Sequence, residues 1–210
     1  MLIYLADNKE WYTLVRKEVD SVANQYCSDT SLSLADRLMK VPIEAWESAF
    51  PTIDLVLKES MRLQLNGSAF RKNTSGRPIP LNKEGTEVIP ADAYAAFAVA
   101  NIHHNPEIYT DHETFDPARY LPDRAEDKKK QYGWIGWGVG RHPCLGMRFA
   151  KLENNVITAF WVACFEDAEL VDVDGNKTVP PEVNRNFHSA HKPERKVLVK
   201  YKVRESGGKM

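Results

Sequence analysis

Apolar residues recur at helical spacing near the start of the chain. Trp11, Leu14, Val15, Val19 and Val22 share one face, which predicts an amphipathic helix over residues 8–26. Asp7 and Glu10 stand before it as Asp-x-x-Glu, a pattern in which two side chains satisfy unpaired N–H groups at a helix start. Residues 1–6 are apolar and read as the tail of another helix, so the chain is expected to start part-way through a fold. Residues 33–40 predict a short helix and Pro42 to Pro51 a turn-rich connection. A further helix is predicted over 51–64, opened by Pro51 and ended by Asn66–Gly67. From residue 68 the texture changes. "RPIPLNKEGTEVIP", residues 77–90, predicts an edge hairpin with a glycine turn, while "AYAAFAVANIHHNP", residues 93–106, fits a strand or a short helix. Residues 110–131 read as loop. Residues 146–165 predict a helix with a broad apolar face including Phe149, Val156, Ile157, Phe160 and Trp161. Asp174–Gly175 marks a turn, and Val197, Val199, Tyr201 and Val203 alternate with polar residues as a strand does.

Composition narrows the classes. The 210 residues are 43% hydrophobic and 27% charged, enough for a packed core. Twenty-eight basic against 29 acidic residues leave a net charge of −1, without the basic excess of a nucleic-acid surface. The longest apolar runs, Ala93 to Ile102 and Val156 to Phe165, fall short of the ~20 residues a membrane span needs. The N-terminus has no basic segment before its short apolar run, so no secretory signal is read there. Three cysteines, Cys27, Cys144 and Cys164, without a Cys-x-x-Cys, make neither a disulfide framework nor a zinc site. These features predict a soluble, cytoplasmic chain in a reducing compartment.

The chemistry concentrates in "YGWIGWGVGRHPCLGMRFAKLENN", Tyr132 to Asn155. Gly133, Gly136, Gly138 and Gly140 permit an irregular backbone that can lie against a flat partner. Cys144 falls just before a predicted helix, where unpaired N–H groups carry partial positive charge, and Arg141, His142 and Arg148 stand nearby. Each favours the thiolate, the form that ligates metal. The plain alternative is a small buried hydrophobe. Phosphate binding fits poorly, because no Lys-Ser/Thr follows the glycines.

"WGVGRHPCLG", Trp137 to Gly146, resembles the heme-binding loop of the cytochrome P-450 family, the heme-thiolate monooxygenases. Trp137 takes the place of the usual Phe, Gly138, Gly140 and Gly146 surround the cysteine, His142 fills the basic position, and Pro143 is unusual. Glu59 and Arg62 match the family's Glu-x-x-Arg helix motif and lie beside Leu55 and Leu63, off the polar side marked by Asp54 and Lys58. "FDPARY", Phe115 to Tyr120, resembles the loop that supplies a third partner, Arg119. The overall texture resembles fungal members.

The resemblance implies a mainly α fold with minor antiparallel β, the C-terminal part of the cytochrome P-450 fold, lacking the N-terminal half and most of the distal oxygen-activating helix. Residues 1–210 then form one partial domain. Helices with the Glu-x-x-Arg motif occupy 1–64, a small β region 65–109, the meander with the cysteine loop and following helix 110–165, and a C-terminal β hairpin region 166–210. It implies heme b as cofactor, Cys144 as axial iron ligand, Trp137 beside the sulfur, and Glu59, Arg62 and Arg119 as a structural triad. His142 and Arg71 are candidates for the propionates, Arg71 being equally readable as a surface arginine. Substrate contacts are expected from 65–70 and 183–188. Insertion of one oxygen atom into a small organic substrate, an NADPH-dependent reductase as partner, and residence of a full-length relative at the endoplasmic reticulum membrane follow from the same resemblance. The competing readings are a non-catalytic heme-domain remnant and a thiol-redox or interaction protein using Cys144. Smaller features read as structural: "EDKKK", Glu126 to Lys130, as a solvated run or a basic patch for an acidic reductase; His103–His104 as local hydrogen-bonding groups; His188 and His191 as a weak metal pair; Cys27 and Cys164 as packing residues.

Overall fold

The computed structural model describes residues 1–186 and 193–204. In chain order the helices are α1 (Leu2–Asp7), α2 (Lys9–Tyr26), α3 (Leu34–Leu38), α4 (Ile43–Trp46), α5 (Pro51–Gln64), α6 (Val99–His103) and α7 (Met147–Cys164). The strands are β1 (Ser68–Lys72), β2 (Ile79–Pro80), β3 (Val88–Ile89), β4 (Tyr94–Ala98), β5 (Phe165–Val171) and β6 (Leu198–Val203). They pair antiparallel as three separate two-stranded sheets, β1 with β4, β2 with β3 and β5 with β6.

The helix start near residue 8 is capped differently from the sequence expectation. Asn8, in extended conformation, ends α1 and begins α2, and its side chain accepts from the Trp11 N–H at 3.0 Å. Asp7 is the last residue of α1, so its carboxylate cannot serve as that cap. A residue at the N-cap must leave helical geometry to turn its side-chain oxygen onto the first N–H groups, and Asn8 does so.

The main core lies between α2, α5 and α7, with α1, α3, α4 and the β5–β6 sheet around it. Helix α2 contributes Trp11, Tyr12, Val15, Val19, Val22 and Ala23, whereas Leu14 turns outward. Helix α7 departs further from its hydropathy pattern. Its buried side is Asn155, Thr158, Ala159, Val162 and Ala163, while Phe149 is 71% and Ile157 50% exposed. Small side chains let α7 approach α2 closely, and Asn155 is buried because its Nδ2 donates to the Trp46 carbonyl at 2.9 Å. Phe160 and Trp161 are half-buried, stacking respectively on Trp46 and Phe165.

Other expectations resolve simply. The connection 42–51 contains a turn of helix, α4, whose Trp46 is buried against Phe50. The helix opened by Pro51 ends at Gln64 with Leu65 as its cap, before Asn66–Gly67. Residues 93–106 are both alternatives in succession, strand β4 and then helix α6. Strand β1, which the hydropathy pattern did not signal, exists by pairing Ser68–Lys72 against β4. The 77–90 segment forms the β2–β3 hairpin, with Gly85 in its turn at φ +69°, and Gly175 makes the expected turn after β5 at φ +83°. Strand β5 begins at Phe165 directly after α7 and is fastened to α2 by Tyr12, whose hydroxyl donates to the Phe165 carbonyl at 2.8 Å. Between α6 and α7 the chain is irregular, broken by 3-10 turns at Pro117–Tyr120 and Glu126–Lys128. No helix among the described residues is long and apolar enough to cross a membrane.

The cap assignment gives a direct test. Asn8→Ala should lower stability by about 1 kcal/mol in urea unfolding, and Asp7→Ala, at an exposed position, by less than ~0.5 kcal/mol. The reverse order would restore Asp7 as the cap.

Candidate functional site

Helix α5 turns Glu59 and Arg62 inward one turn apart, and the 3-10 turn at Pro117–Tyr120 brings Arg119 to meet them. All three are fully buried. Glu59 Oε1 accepts from Arg62 Nη2 at 2.8 Å, Arg119 Nε at 3.0 Å and the Asp116 N–H at 3.0 Å. Its Oε2 accepts from Arg62 Nε at 2.8 Å and the Tyr120 hydroxyl at 2.9 Å. One carboxylate thereby has its acceptor capacity filled. The spare guanidinium N–H groups reach into the meander. Arg62 Nη1 donates to the carbonyls of His103 at 2.7 Å and His112 at 2.6 Å, and Nη2 to that of Thr114 at 3.2 Å. Arg119 donates to the carbonyls of Thr110 and Thr114, and to Glu126 Oε2 at 2.7 Å.

Glu126 makes the cluster electrically even, setting two buried carboxylates against two buried guanidiniums. It is 3% exposed and also accepts from Arg124 and the Thr110 N–H. Burial pushes its carboxyl up, but Arg124, Arg119 and the Thr110 amide outweigh that and hold it below the usual range. Burial likewise works against the Arg62 charge and is overcome by Glu59, so its guanidinium is held more firmly protonated than usual. Desolvation, with the Glu59 carboxylate second, keeps the Tyr120 hydroxyl neutral far above its ordinary range, and it remains a donor. The ring of Tyr109 lies 4.8 Å from the Arg62 guanidinium, a buried cation–π contact.

The cysteine loop hangs from this cluster. Tyr109 Oη donates to the Gly133 carbonyl at 2.7 Å, and the Ile135 N–H donates to His103 Nε2 at 3.1 Å. Trp134 stacks on His103 with centroids 5.9 Å apart, and its Nε1 donates to the Lys58 carbonyl. Beyond Ile135 the chain turns on itself. The Gly138 N–H donates to the Ile135 carbonyl at 2.8 Å and the Cys144 N–H to the Trp137 carbonyl at 2.6 Å, with Gly138 and Gly140 at φ +76° and +87°. Residues 138–149 are all exposed, including Val139, Cys144, Leu145, Met147 and Phe149.

The glycines divide into two kinds. A Cβ on Gly133 would sit 2.5 Å from the Asp127 carbonyl oxygen, and one on Gly136 2.3 Å from the Trp134 ring. Those two are demanded by packing inside the chain, where the sequence suggested approach to a flat partner. A Cβ on Gly140 or Gly146 would meet open space.

A family model, Cytochrome P450, matches residues 1–193. The chain belongs to the cytochrome P450 family. It is 41% identical to the cytochrome P450 monooxygenase AacuE of Aspergillus aculeatus over 167 residues, 79% of this chain and 33% of that protein. Similarity is comparable to the monooxygenases nsrP of Aspergillus novofumigatus, 38% identical over 79% of this chain and 32% of that protein, and dmxR5 of a Cryptosporiopsis species, 39% identical over 79% and 31%. These three relatives are fungal, and this chain spans about a third of their length. The P450 family is one of oxidoreductases, and it implies a heme iron held by a thiolate.

For a P450 chain the structure revises several residue readings. Cys144 is exposed, so the buried-hydrophobe alternative does not describe it. Arg148 is engaged by Glu47 at 2.8 Å, which neutralises one of the cations counted near the thiol. Arg141 and His142 are exposed and have no hydrogen bond or ion pair among the described residues. Arg71, exposed on β1, donates only to the carbonyl of its neighbour Phe70 and makes no hydrogen bond or ion pair with the loop. The "EDKKK" run is not a plain solvated stretch: Glu126 is in the cluster, Asp127 pairs with Lys58 at 2.7 Å, and Lys130 with Glu107. Cys27 is half-buried, but Cys164 is exposed, contrary to its reading as a packing residue.

His104 is the C-cap of α6, its N–H donating to the Ala100 carbonyl, but the side chains of His103 and His104 reach beyond their own turn. His103 reaches across to Ile135, and His104 contacts Arg185 and Glu113. Segments 65–70 and 183–186 meet through Asn66 Nδ2, which donates to the Asn184 carbonyl at 2.9 Å. Phe187, His188 and His191 lie outside the described residues, among which no cluster suited to a metal ion occurs. Sequence reasoning missed Glu126, Tyr120, Tyr109 and His103. Only Tyr120 carried a signal, as the last residue of "FDPARY".

Two predictions follow from the cluster. Glu59→Ala should cost about 3–5 kcal/mol in chemical unfolding by leaving two buried guanidiniums without their shared acid, whereas Tyr120→Phe should cost about 1–3 kcal/mol; equal losses would mean that the charge is not what holds the meander. The second concerns acid. Burial first, and the Arg62 charge second, push His103 down to about 3 from 6.5, and burial with Arg185 pushes His104 down to about 4. The unfolded chain therefore takes up protons that the folded chain refuses, so stability falls as pH drops below 6.5 and neither group contributes a slope above it. Melting temperatures from pH 7 to 5 should show that fall, and His103→Gln should make it shallower; a parallel slope in the variant would remove His103 as a source.

Proposed function

We propose that this chain carries the thiolate side of a heme-dependent P450 monooxygenase, with Cys144 as the axial ligand to the iron of heme b. The observation that carries the reading is an exposed cysteine in a twelve-residue exposed run, Gly138 to Phe149, turned by two glycines at positive φ. Isolated exposed apolar residues are ordinary, but four of them, Val139, Leu145, Met147 and Phe149, within one twelve-residue exposed stretch around a thiol suit a large flat apolar group. The open space above Gly140 and Gly146 fits the same group, because no side chain stands in its way.

Each residue then has a role. Cys144 presents its sulfur from the loop while its N–H is held by the Trp137 carbonyl. Trp137, Gly138, Gly140 and Gly146 border the heme face. His142 and Arg71, which have no acidic partner among the described residues, are donors for the propionates. Glu59, Arg62 and Arg119 form the structural triad and keep the meander, and with it the loop base, in one conformation. Segments 65–70 and 183–186, joined by Asn66 and Asn184, are the substrate-facing contacts. The chemistry that a thiolate-ligated heme supplies when bound is activation of dioxygen, the sulfur's electron donation favouring O–O cleavage. In the whole protein one oxygen atom enters a small organic substrate, electrons come from an NADPH-dependent reductase, and the site of action is the endoplasmic reticulum membrane.

The test is optical. The purified chain, supplied with heme, reduced and treated with carbon monoxide, should show a thiolate-type Soret shift, and Cys144→Ser should abolish it. A folded chain that takes up no heme, or a shift that persists in the Ser variant, overturns the assignment. Rapid alkylation of Cys144 without heme uptake would point to a thiol-redox protein instead.

A further inference from the structure

His103 is fully buried, and the heme-thiolate reading gives it no task. Its position is nevertheless unusual. It is the last residue of α6, its carbonyl accepts from Arg62 Nη1 at 2.7 Å, and its ring stacks on Trp134 at 5.9 Å. Its Nε2 accepts from the Ile135 N–H at 3.1 Å, across 32 residues of sequence. An imidazole that accepts at Nε2 carries its proton at Nδ1, which here is buried without a partner among the described residues. The ring thus tolerates one unsatisfied donor in order to satisfy one backbone amide. Its low proton affinity, set by burial and by Arg62, keeps it a neutral acceptor throughout the physiological range.

From this ring a continuous set of hydrogen bonds runs to the cysteine. Glu59 holds Arg62, Arg62 holds the His103 carbonyl, and the His103 ring holds the Ile135 amide. The Ile135 carbonyl then receives the Gly138 N–H at 2.8 Å, and the Trp137 carbonyl receives the Cys144 N–H at 2.6 Å. Between Gly136 and Cys144, no side chain from elsewhere in the chain hydrogen-bonds to the loop backbone among the described residues. Ile135 is therefore the last point at which the buried interior grips the loop. We propose that His103 is a positioning residue for Cys144: its ring acceptor fixes the Ile135 amide and so sets the turn that presents the sulfur. The significance for heme ligation rests on the function proposed above; the grip on the loop does not.

Two variants separate the hydrogen bond from the ring. His103→Phe keeps a ring to stack on Trp134 but has no acceptor, and His103→Gln places a carbonyl oxygen near the position of Nε2. In the heme-free chain, hydrogen exchange at the Ile135 amide should quicken about tenfold or more in the Phe variant, the scale expected for an unsatisfied buried N–H, and stay near the wild-type rate in the Gln variant. In heme-loaded protein the Phe variant should lose thiolate-type carbon monoxide absorption to a thiol-type band at unchanged heme content, with the Gln variant restoring it. If Phe and Gln behave alike in exchange, whether both normal or both fast, the positioning role is overturned. If exchange separates them but the wild type binds no heme, the grip on the loop stands and the heme reading falls. Should the Phe variant not fold, the wild-type chain still decides: its Ile135 amide must exchange more slowly than those of Val139 to His142, and equal rates overturn the proposal.

Discussion

Glu59 accepts five hydrogen bonds where water does not reach it. Three of them come from two guanidinium groups that are equally buried, and burying such charges costs on the order of several kcal/mol each unless every polar atom finds a partner. Here the partners are found in the meander. The region between α6 and α7 has no regular ladder for its backbone, so its carbonyls would otherwise be orphaned. Arg62 and Arg119 spend their remaining N–H groups on His103, Thr110, His112 and Thr114. The cluster and the irregular chain solve one another's problem: each supplies the hydrogen bonds that the other needs.

That reciprocity explains how an irregular segment can hold a site. The meander is pinned at its carbonyls, and the cysteine loop is pinned to the meander through Tyr109 and His103. Past Ile135, among the described residues, the loop backbone hydrogen-bonds only within its own turns, and Gly138 to Phe149 are exposed. The loop is firm at its root and bare at its tip. The small sheets follow a similar logic. A two-stranded sheet is marginal alone, and β5–β6 is ordered because Leu170 and Ala168 pack into the helical core. The β1–β4 sheet leaves Phe70, Tyr94 and Phe97 largely uncovered.

Charge in this molecule is mostly spent internally. Lys58, Lys130, Lys151 and Arg148 each meet an acid of the same chain. Arg141, His142 and Arg71, by contrast, keep their charge or donor capacity unengaged by any acid among the described residues. The distinction cannot be made by counting lysines in a run. It depends on which acids the fold brings within reach.

The sequence by itself determined the elements whose signal is local. Pro51 opens a helix because its fixed φ and missing N–H suit that position. Gly175 turns the chain because only a residue without a Cβ adopts its φ readily. The loop from Trp137 to Gly146 was legible from its residue types alone, as was the inward placement of Glu59 and Arg62 beside Leu55 and Leu63. Only the tertiary structure decided what depends on distant partners. Which face of α7 is buried was set by close approach to α2, which favours Ala159 and Ala163 over Phe149. Glu126 left a lysine-rich run for the interior because Arg119 lacked a second acid. His103 became an anchor because Ile135, far along the chain, needed an acceptor. Hydropathy and motif spacing act over a few residues, whereas electroneutrality and hydrogen-bond satisfaction are settled only when the whole chain has closed around them.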